Sequence, residues 1–510
     1  MNVLTLPVLL PLLGGSLLLL VRRSGARRLV ASGVSALTLA ASLDIALRTL
    51  HGEILTAQMA AWAAPFGITL VADGLTGLLL GTSNVLALLS VLFAGSSLRH
   101  APVRGAGSLL NRAREAFGAQ ALLQFLFMGV NMSFLTGDLF NLFVAFEVML
   151  VASYGLLLLG GELPQLREGF KYVVINLVAS SVFVVTAGMV YGLVGSLNMA
   201  DIAGRVAAHG GDVRVTVLAG LLALVFATKA AVFPLGFWLP NAYPVPPAAV
   251  SAFFAAVLTK VGVYALLRSF TLMFPGEHAV ALTLFALAGL TMLIGALGAI
   301  ARRRWRHAMA FANVASIGYL VAGAFMGTRD GMTAALYYLV NSMAVIFVLF
   351  LVAALAERVA GPGYRKSGHL GLYPWLGAGY FTAALALTGL PPTSGFIAKY
   401  ALLRAMLGAG GGLRTAVATA AVVTGLLLLY AAMRVWREFF WGESDAVHHV
   451  AIPRFMSGVT VAATVLLLSV AAFAGPLYAA CGRISSQLEG NAAYRAAVLV
   501  PDAPPREGAH

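Results

Sequence analysis

Three of the chain's five lysines, Lys229, Lys260 and Lys399, stand deep inside long apolar runs, and Glu147 does the same with the opposite charge. An ionisable group at mid-membrane depth costs several kcal/mol unless it faces protein, water or a partner. Lysine sheds its proton when desolvated, whereas arginine stays charged. A row of buried, titratable lysines is what a proton path needs. The other basic groups behave differently: 28 of 33 are Arg, nearly all at the edges of apolar segments.

Each buried charge has a plainer reading to set beside that one. Asp138 opens a helical run as an N-cap beside a favourable dipole. Glu147 lies nine residues deeper, about 13 Å along a helix axis, too far to cap. A structural interhelix hydrogen bond competes, but with basic groups at similar depth an ion pair is favoured. Lys229 follows fourteen uncharged residues, Val215 to Thr228, and precedes Ala-Ala-Val-Phe-Pro234. Snorkelling is the usual fate of a membrane lysine, yet either surface is ten or so residues away. Pro234 breaks helical hydrogen bonding and frees carbonyls near the lysine, and a broken helix at the midplane is where transporters place ion sites. Lys260 sits mid-span in Val250–Tyr264, with Arg268 two turns later marking the helix edge. Thr228 and Thr259, each preceding a lysine, have as their plainer expected role a hydrogen bond to local backbone. Lys399 ends Gly389-Leu-Pro391-Pro392-Thr-Ser-Gly395-Phe-Ile-Ala-Lys399, a second interrupted helix. Snorkelling competes more strongly there, because Arg404 follows.

These residues must be held by membrane helices. The 510-residue chain is 60% hydrophobic and 10% charged, with mean hydropathy +0.91. That composition describes an all-α polytopic membrane protein. Fourteen apolar segments can be read, at about 3–21, 29–48, 73–97, 118–135, 138–160, 170–194, 215–239, 248–272, 279–300, 308–327, 332–356, 373–405, 414–436 and 456–476. The +14 charge sits in loops and carries topology, not nucleic-acid binding. Arg22–Arg28, Arg99/Arg104/Arg112/Arg114, Arg302–Arg306, Arg358/Arg365/Lys366 and Arg434/Arg437/Arg454 all fall in alternate loops. The positive-inside rule makes that side cytoplasmic and leaves both termini extracytoplasmic. Charges that follow the first apolar stretch argue for a retained span, not a cleaved signal.

Residues 50–72, with Pro65 and Gly67 as turn signals, are expected to form an external hairpin within a three-helix segment, 1–117. The interrupted segments begin 158 residues apart, five segments per step, the pattern of inverted repeats. The first repeat is expected over 118–272 and the second over 279–436, followed by a last span at 456–476. A polar, poorly ordered tail is expected over 482–510. Cys481 is the only cysteine, which excludes an intrachain disulfide or a cysteine-based metal cluster. No metal or cofactor site is expected, and any oxidoreductase chemistry would belong to partner subunits.

Four stretches resemble the proton-translocating antiporter subunits shared by Mrp-type cation/proton antiporters and the membrane arm of respiratory complex I. They are Thr136-Gly-Asp-Leu-Phe-Asn-Leu-Phe-Val-Ala-Phe-Glu147, Thr228-Lys-Ala-Ala-Val-Phe-Pro-Leu-Gly-Phe-Trp-Leu-Pro240, Leu258-Thr-Lys-Val-Gly-Val-Tyr-Ala-Leu-Leu-Arg268 and Gly389–Lys399. The first stretch, the Gly195–Asp201 loop and the length look most like the D-type component of Mrp antiporters. The resemblance implies fourteen helices with two inverted five-helix repeats, each containing a discontinuous helix. It also implies that Glu147 pairs with Lys229, that Lys260 relays between the halves, and that Lys399 ends the second half-channel. One departure stands out. Many relatives carry a His near Asn341 or Ser342 and a Lys near Ile346, though some Mrp-type ones lack that lysine, and this chain has no ionisable group there. Water bridging Lys260 to Lys399, or an impaired second half-channel, are the two readings of that gap.

The favoured function is a proton-translocating subunit of a multi-subunit Na⁺ (or similar monovalent cation)/proton antiporter in a bacterial or archaeal plasma membrane. Its partners would be other hydrophobic subunits, lipid, protons and the cation. The alternative is a proton-pumping subunit of an NADH:quinone oxidoreductase or membrane-bound hydrogenase. A self-sufficient solute carrier fits poorly, because the lysine flanks are nearly all apolar and offer no specificity groups.

Overall fold

The computed structural model describes residues 2–59, 62, 66–97, 106–360, 368–441 and 452–499. Pro65, Arg99, Arg104, Arg365, Lys366 and residues 500–510 therefore lie outside the described residues. In lipid every backbone polar group must be bonded within its own segment, so the apolar runs fold as helices.

In chain order these are α1 (Leu6–Leu20), α2 (Ser24–Leu50), α3 (Gly74–Ser97), α4 (Ala106–Leu135), α5 (Leu139–Leu158), α6 (Leu163–Val194) and α7 (Met199–Ala208). There follow α8 (Val213–Ala230), α9 (Leu239–Ala242), α10 (Ala248–Phe253), α11 (Thr259–Arg268), α12 (His278–Ala301) and α13 (Trp305–Phe325). The chain continues through α14 (Arg329–Ala360), α15 (Pro374–Thr388), α16 (Ser394–Gly408), α17 (Gly412–Phe439), α18 (Arg454–Ala472), α19 (Ala474–Glu489) and α20 (Ala492–Leu499). The only described strands, β1 (Leu55–Gln58) and β2 (Thr69–Ala72), pair antiparallel with Leu55 opposite Ala72.

Thirteen described helices are long and apolar enough to cross a membrane, with α10 and α11 counted as one span through a π-helical turn at Phe254–Leu258. The broken pair α15 and α16, 15 residues each, makes the fourteenth. Spans Ala248–Met273 and Arg329–Val359 have their most apolar stretches wholly inside the protein, whereas α1, α2, α6, α17 and α18 expose most of theirs. A row formed by α10, α11, α13 and α14 is thus insulated from lipid by a ring of outer helices. That row and its neighbours carry the lysines.

Contacts between loops fix the sidedness of the crossings. The Gln58 side chain donates to the Val498 carbonyl, so the ribbon and the C-terminal helix share one face. On the opposite face Arg306 bonds the Pro244 carbonyl and pairs with Glu357, while Arg434 bonds the Ile300 and Arg302 carbonyls. The basic stretches at Arg302–Arg306, Arg358 and Arg434 therefore gather on one side.

One expectation needs correcting. Residues 482–499 are not a poorly ordered extension: α19 runs to Glu489 and α20 covers Ala492–Leu499. Cys481, Ile484, Ser485 and Leu488 recur at helical spacing and are buried, and α19 packs on α14. The stripe is narrow within a polar segment, so composition concealed it. Arg268, expected at a helix edge, is the last residue of α11 and is buried at 2% exposure.

Candidate functional site

Asp138 caps α5, accepting from the Asn141 amide at 2.7 Å. Glu147 follows on the same helix, with Oε1 buried and without a hydrogen-bond partner. Lys229 is the penultimate residue of α8. Its ammonium donates to the Asn176 carbonyl at 3.2 Å and to Ser180 Oγ at 3.0 Å, both on α6. Glu147 is the carboxylate whose charge acts on Lys229, but the two are not in ion-pair contact. In this arrangement the lysine is held by α6 and the carboxylate stands apart.

The break after α8 is built by the chain itself. Ala231 takes a left-handed backbone at φ +62° and Phe233–Pro234 is cis. The freed groups find partners: Trp238 Nε1 donates to the Thr228 carbonyl at 3.1 Å, and the Phe233 amide donates to Thr291 Oγ1 at 3.0 Å. Gly262 brings α11 against this break, where a Cβ would lie 2.5 Å from the Ala230 nitrogen. Lys260 is therefore one helical contact away from the Lys229 segment. Its ammonium, fully buried, donates to the Ala255 carbonyl at 3.2 Å and to Asn313 Oδ1 at 2.8 Å. A π turn offsets the helical hydrogen-bond ladder, and Ala255 lies within the π turn preceding Lys260.

Lys399 closes the second break. Its ammonium donates to the Leu387 and Thr388 carbonyls at 2.7 and 3.2 Å, and it lies 4.3 Å from the centroid of the Tyr319 ring. Those carbonyls are the last of α15, orphaned by the helix end. Gly389 at φ +84° makes the turn, and Pro391–Pro392 is cis. At Gly395 a Cβ would fall 1.7 Å from the Ala386 oxygen, so the two half-helices touch backbone to backbone. With exposures of 5%, 0% and 7% for Lys229, Lys260 and Lys399, none of the three snorkels.

The gap expected on α14 is present. Asn341 Oδ1 accepts from Ser394 at 2.7 Å, Ser342 bonds its own helix at Leu339, and Ile346 is buried among apolar groups. Asn176, Ser180, Asn313 and Tyr319 carry no conspicuous mark in the sequence, because amides and hydroxyls are unremarkable singly. The i, i+4 spacing of Asn176 and Ser180 was the available signal. Among the described residues no three His, Cys, Asp or Glu side chains converge to hold a metal.

A sequence model of the transmembrane region of NADH:quinone oxidoreductase/Mrp antiporter proteins matches residues 136–427. The D component of the Na(+)/H(+) antiporter of Alkalihalophilus pseudofirmus is 38% identical over 446 residues, covering 87% of each chain. Its counterpart of the same name in Bacillus subtilis is 36% identical over the same shares. The chain belongs to the NADH:quinone oxidoreductase/Mrp antiporter family. A chain in the structure of the Mrp complex from Dietzia sp. DQ12-45-1b superposes with a TM-score of 0.88 at 29% identity, covering 98% of this chain and 100% of its own. Within the family the chain is similar to D-type antiporter components and to a chain of an Mrp complex.

The region matched by the family model contains Glu147, Lys229, Lys260 and Lys399. It is tied to the helices before it through Arg268, which forms a two-pronged pair with Asp73 at 2.8 Å for both bonds. The Tyr494 ring of α20 lies 4.9 Å from the guanidinium. Burial works against the Asp73 charge, but the adjoining Arg268 prevails and holds the carboxyl below its usual range. The clamp joins α3, α11 and α20 on the face opposite the basic loops.

Proposed function

We propose that this chain is the proton-translocating subunit of a multi-subunit monovalent-cation/proton antiporter, with Glu147, Lys229, Lys260 and Lys399 as the proton path. One observation carries this reading: Lys229, Lys260 and Lys399 are each bonded to neutral acceptors, namely carbonyls, a hydroxyl or an amide oxygen. A lysine locked to a carboxylate would be held charged. These can lose a proton without stranding a buried counter-charge.

Glu147 acts as the switch. Moved onto Lys229, its carboxylate stabilises the ammonium; withdrawn, it leaves a desolvated ammonium that passes its proton toward Lys260. Pro234 maintains the break that follows Lys229, and Pro391 and Pro392 maintain the one whose freed Leu387 and Thr388 carbonyls receive Lys399. The two broken segments belong to inverted five-helix repeats, 118–272 and 279–436. Na⁺ is the cation proposed, as named for the relatives, with small hydrophobic antiporter subunits as partners. The basic-loop face is cytoplasmic, leaving both termini outside; an active C-terminal alkaline phosphatase fusion is the expected outcome.

Lys229→Ala and Glu147→Ala should each abolish Na⁺-driven proton movement in everted vesicles carrying the complete complex, while the partner subunits still co-purify. Full activity in both variants would overturn the reading. The second reading, a proton-pumping subunit of a redox complex, is kept open by the family itself, which spans both types. Co-purification of Fe–S or flavin subunits with the tagged chain would favour it.

A further inference from the structure

One carboxylate in the membrane helices faces outward. Asp44 of α2 is exposed, flanked by Leu43 and Leu47 at 42% and 60% exposure. The helix is 27 residues long, or about 40 Å, against a hydrocarbon layer of about 30 Å. Asp44 lies six residues (50 minus 44) before the helix end at Leu50, about 9 Å along the axis, which puts it inside the apolar layer. An aspartate side chain is too short to reach water from there, unlike a lysine or arginine that snorkels. Its own helix supplies no counter-charge. Arg48, one turn on, is turned to Glu53 at 2.9 Å, and among the described residues Asp44 forms no ion pair. The neutral polar groups of α2 lie on its other side, where Ser35, Thr38, Ser42 and Thr49 are buried. The outward side is uncovered, with open space around Gly33. A charge facing lipid is costly, and such groups pair with an opposite charge on a neighbouring helix.

We propose that the outward face of α2 around Asp44 docks a membrane helix of a partner subunit, whose Lys or Arg at the same depth pairs with the Asp44 carboxylate. This rests on the reading of the chain as one component of a multi-subunit complex, and not on the lysine path. The charge selects the occupant. A lipid acyl chain offers Asp44 nothing, and a second copy of this chain would bring two Asp44 carboxylates together across a two-fold axis. A basic partner helix supplies the counter-charge and so fixes the depth and rotation at which it docks. Leu37, Leu43 and Leu47 give the apolar contact around the pair.

The test uses membranes carrying the complete complex, with a tag on this chain. p-Benzoylphenylalanine in place of Leu47 should crosslink on irradiation to a membrane helix of a partner subunit, with a Lys or Arg within one turn of the crosslinked residue. Asp44→Lys sets like charges together and should lower co-purification of that subunit about fivefold or more, whereas Asp44→Glu should stay within about twofold of the parent. A crosslink to lipid alone, to a second copy of this chain, or to a helix without a nearby basic residue would overturn the docking surface. Parental co-purification in Asp44→Lys would overturn it too. Should Asp44→Lys fail to insert, the Leu47 crosslink decides. If no other subunit co-purifies with the parent chain, the multi-subunit reading itself fails, and the docking surface with it.

Discussion

At the scale of single residues, the buried charges divide by their partners. Arg268 is held by the Asp73 carboxylate through two 2.8 Å bonds and is fixed in charge. The lysines have neutral partners, which on the proposed function lets them change theirs. Asp73→Ala should destabilise the protein by about 3–5 kcal/mol, because it strands a buried guanidinium. Thermal melting of the purified complex would read this, and Asp73→Ala combined with Arg268→Met should recover part of the loss. The pH dependence has a definite sign. A carboxyl held below its ordinary value of about 3.9 contributes stability above that value and loses it only as pH falls through the folded-state value. Stability supplied by this clamp should therefore be flat across neutral and alkaline pH, and a melting temperature that falls between neutral and alkaline pH in the parent but not in the double variant would contradict it. The lysines were legible in the sequence because a charge inside an apolar run stands out. Their partners were not, since a backbone carbonyl such as Leu387 has no sequence signature. The burial of Arg268 was hidden because position along a helix does not reveal Asp73, 195 residues away in the chain.

At the scale of elements, the two broken helices are the decisive parts. Their prolines announced them, and the breaks fall at Ala231 and Gly389 beside the expected lysines. What the prolines did not announce is how closely the pieces pack. Gly395→Ala would drive a methyl into the Ala386 oxygen, 1.7 Å away, and force α16 off α15. Overpacking of this kind costs about 1–3 kcal/mol or more, and it would withdraw Lys399 from the Leu387 and Thr388 carbonyls. The variant should lower both melting temperature and proton movement, whereas Gly458→Ala, with open space around its Cβ, should change neither. Parental melting and transport for Gly395→Ala would contradict the packing argument. The π turn at Phe254–Leu258 and the helices of 482–499 were the elements hidden from the sequence. A π turn depends on tertiary packing, and the narrow stripe of α19 is diluted by polar neighbours.

At the scale of the whole molecule, fourteen crossings were legible because each apolar run had to become a helix. Their lateral order was not, because a lipid-facing and a protein-facing leucine read alike. The resulting shape is an insulated interior row, α10, α11, α13 and α14, walled by outer helices. A proton path needs that insulation, since lipid contact would make a charged lysine too costly. The central claim, that protons pass through the lysines themselves, is tested most directly by Lys260→Arg. Arginine keeps the positive charge but does not release its proton. The expected result is an assembled complex whose Na⁺-driven proton movement in everted vesicles falls to background. Transport at the parental rate in that variant would contradict it.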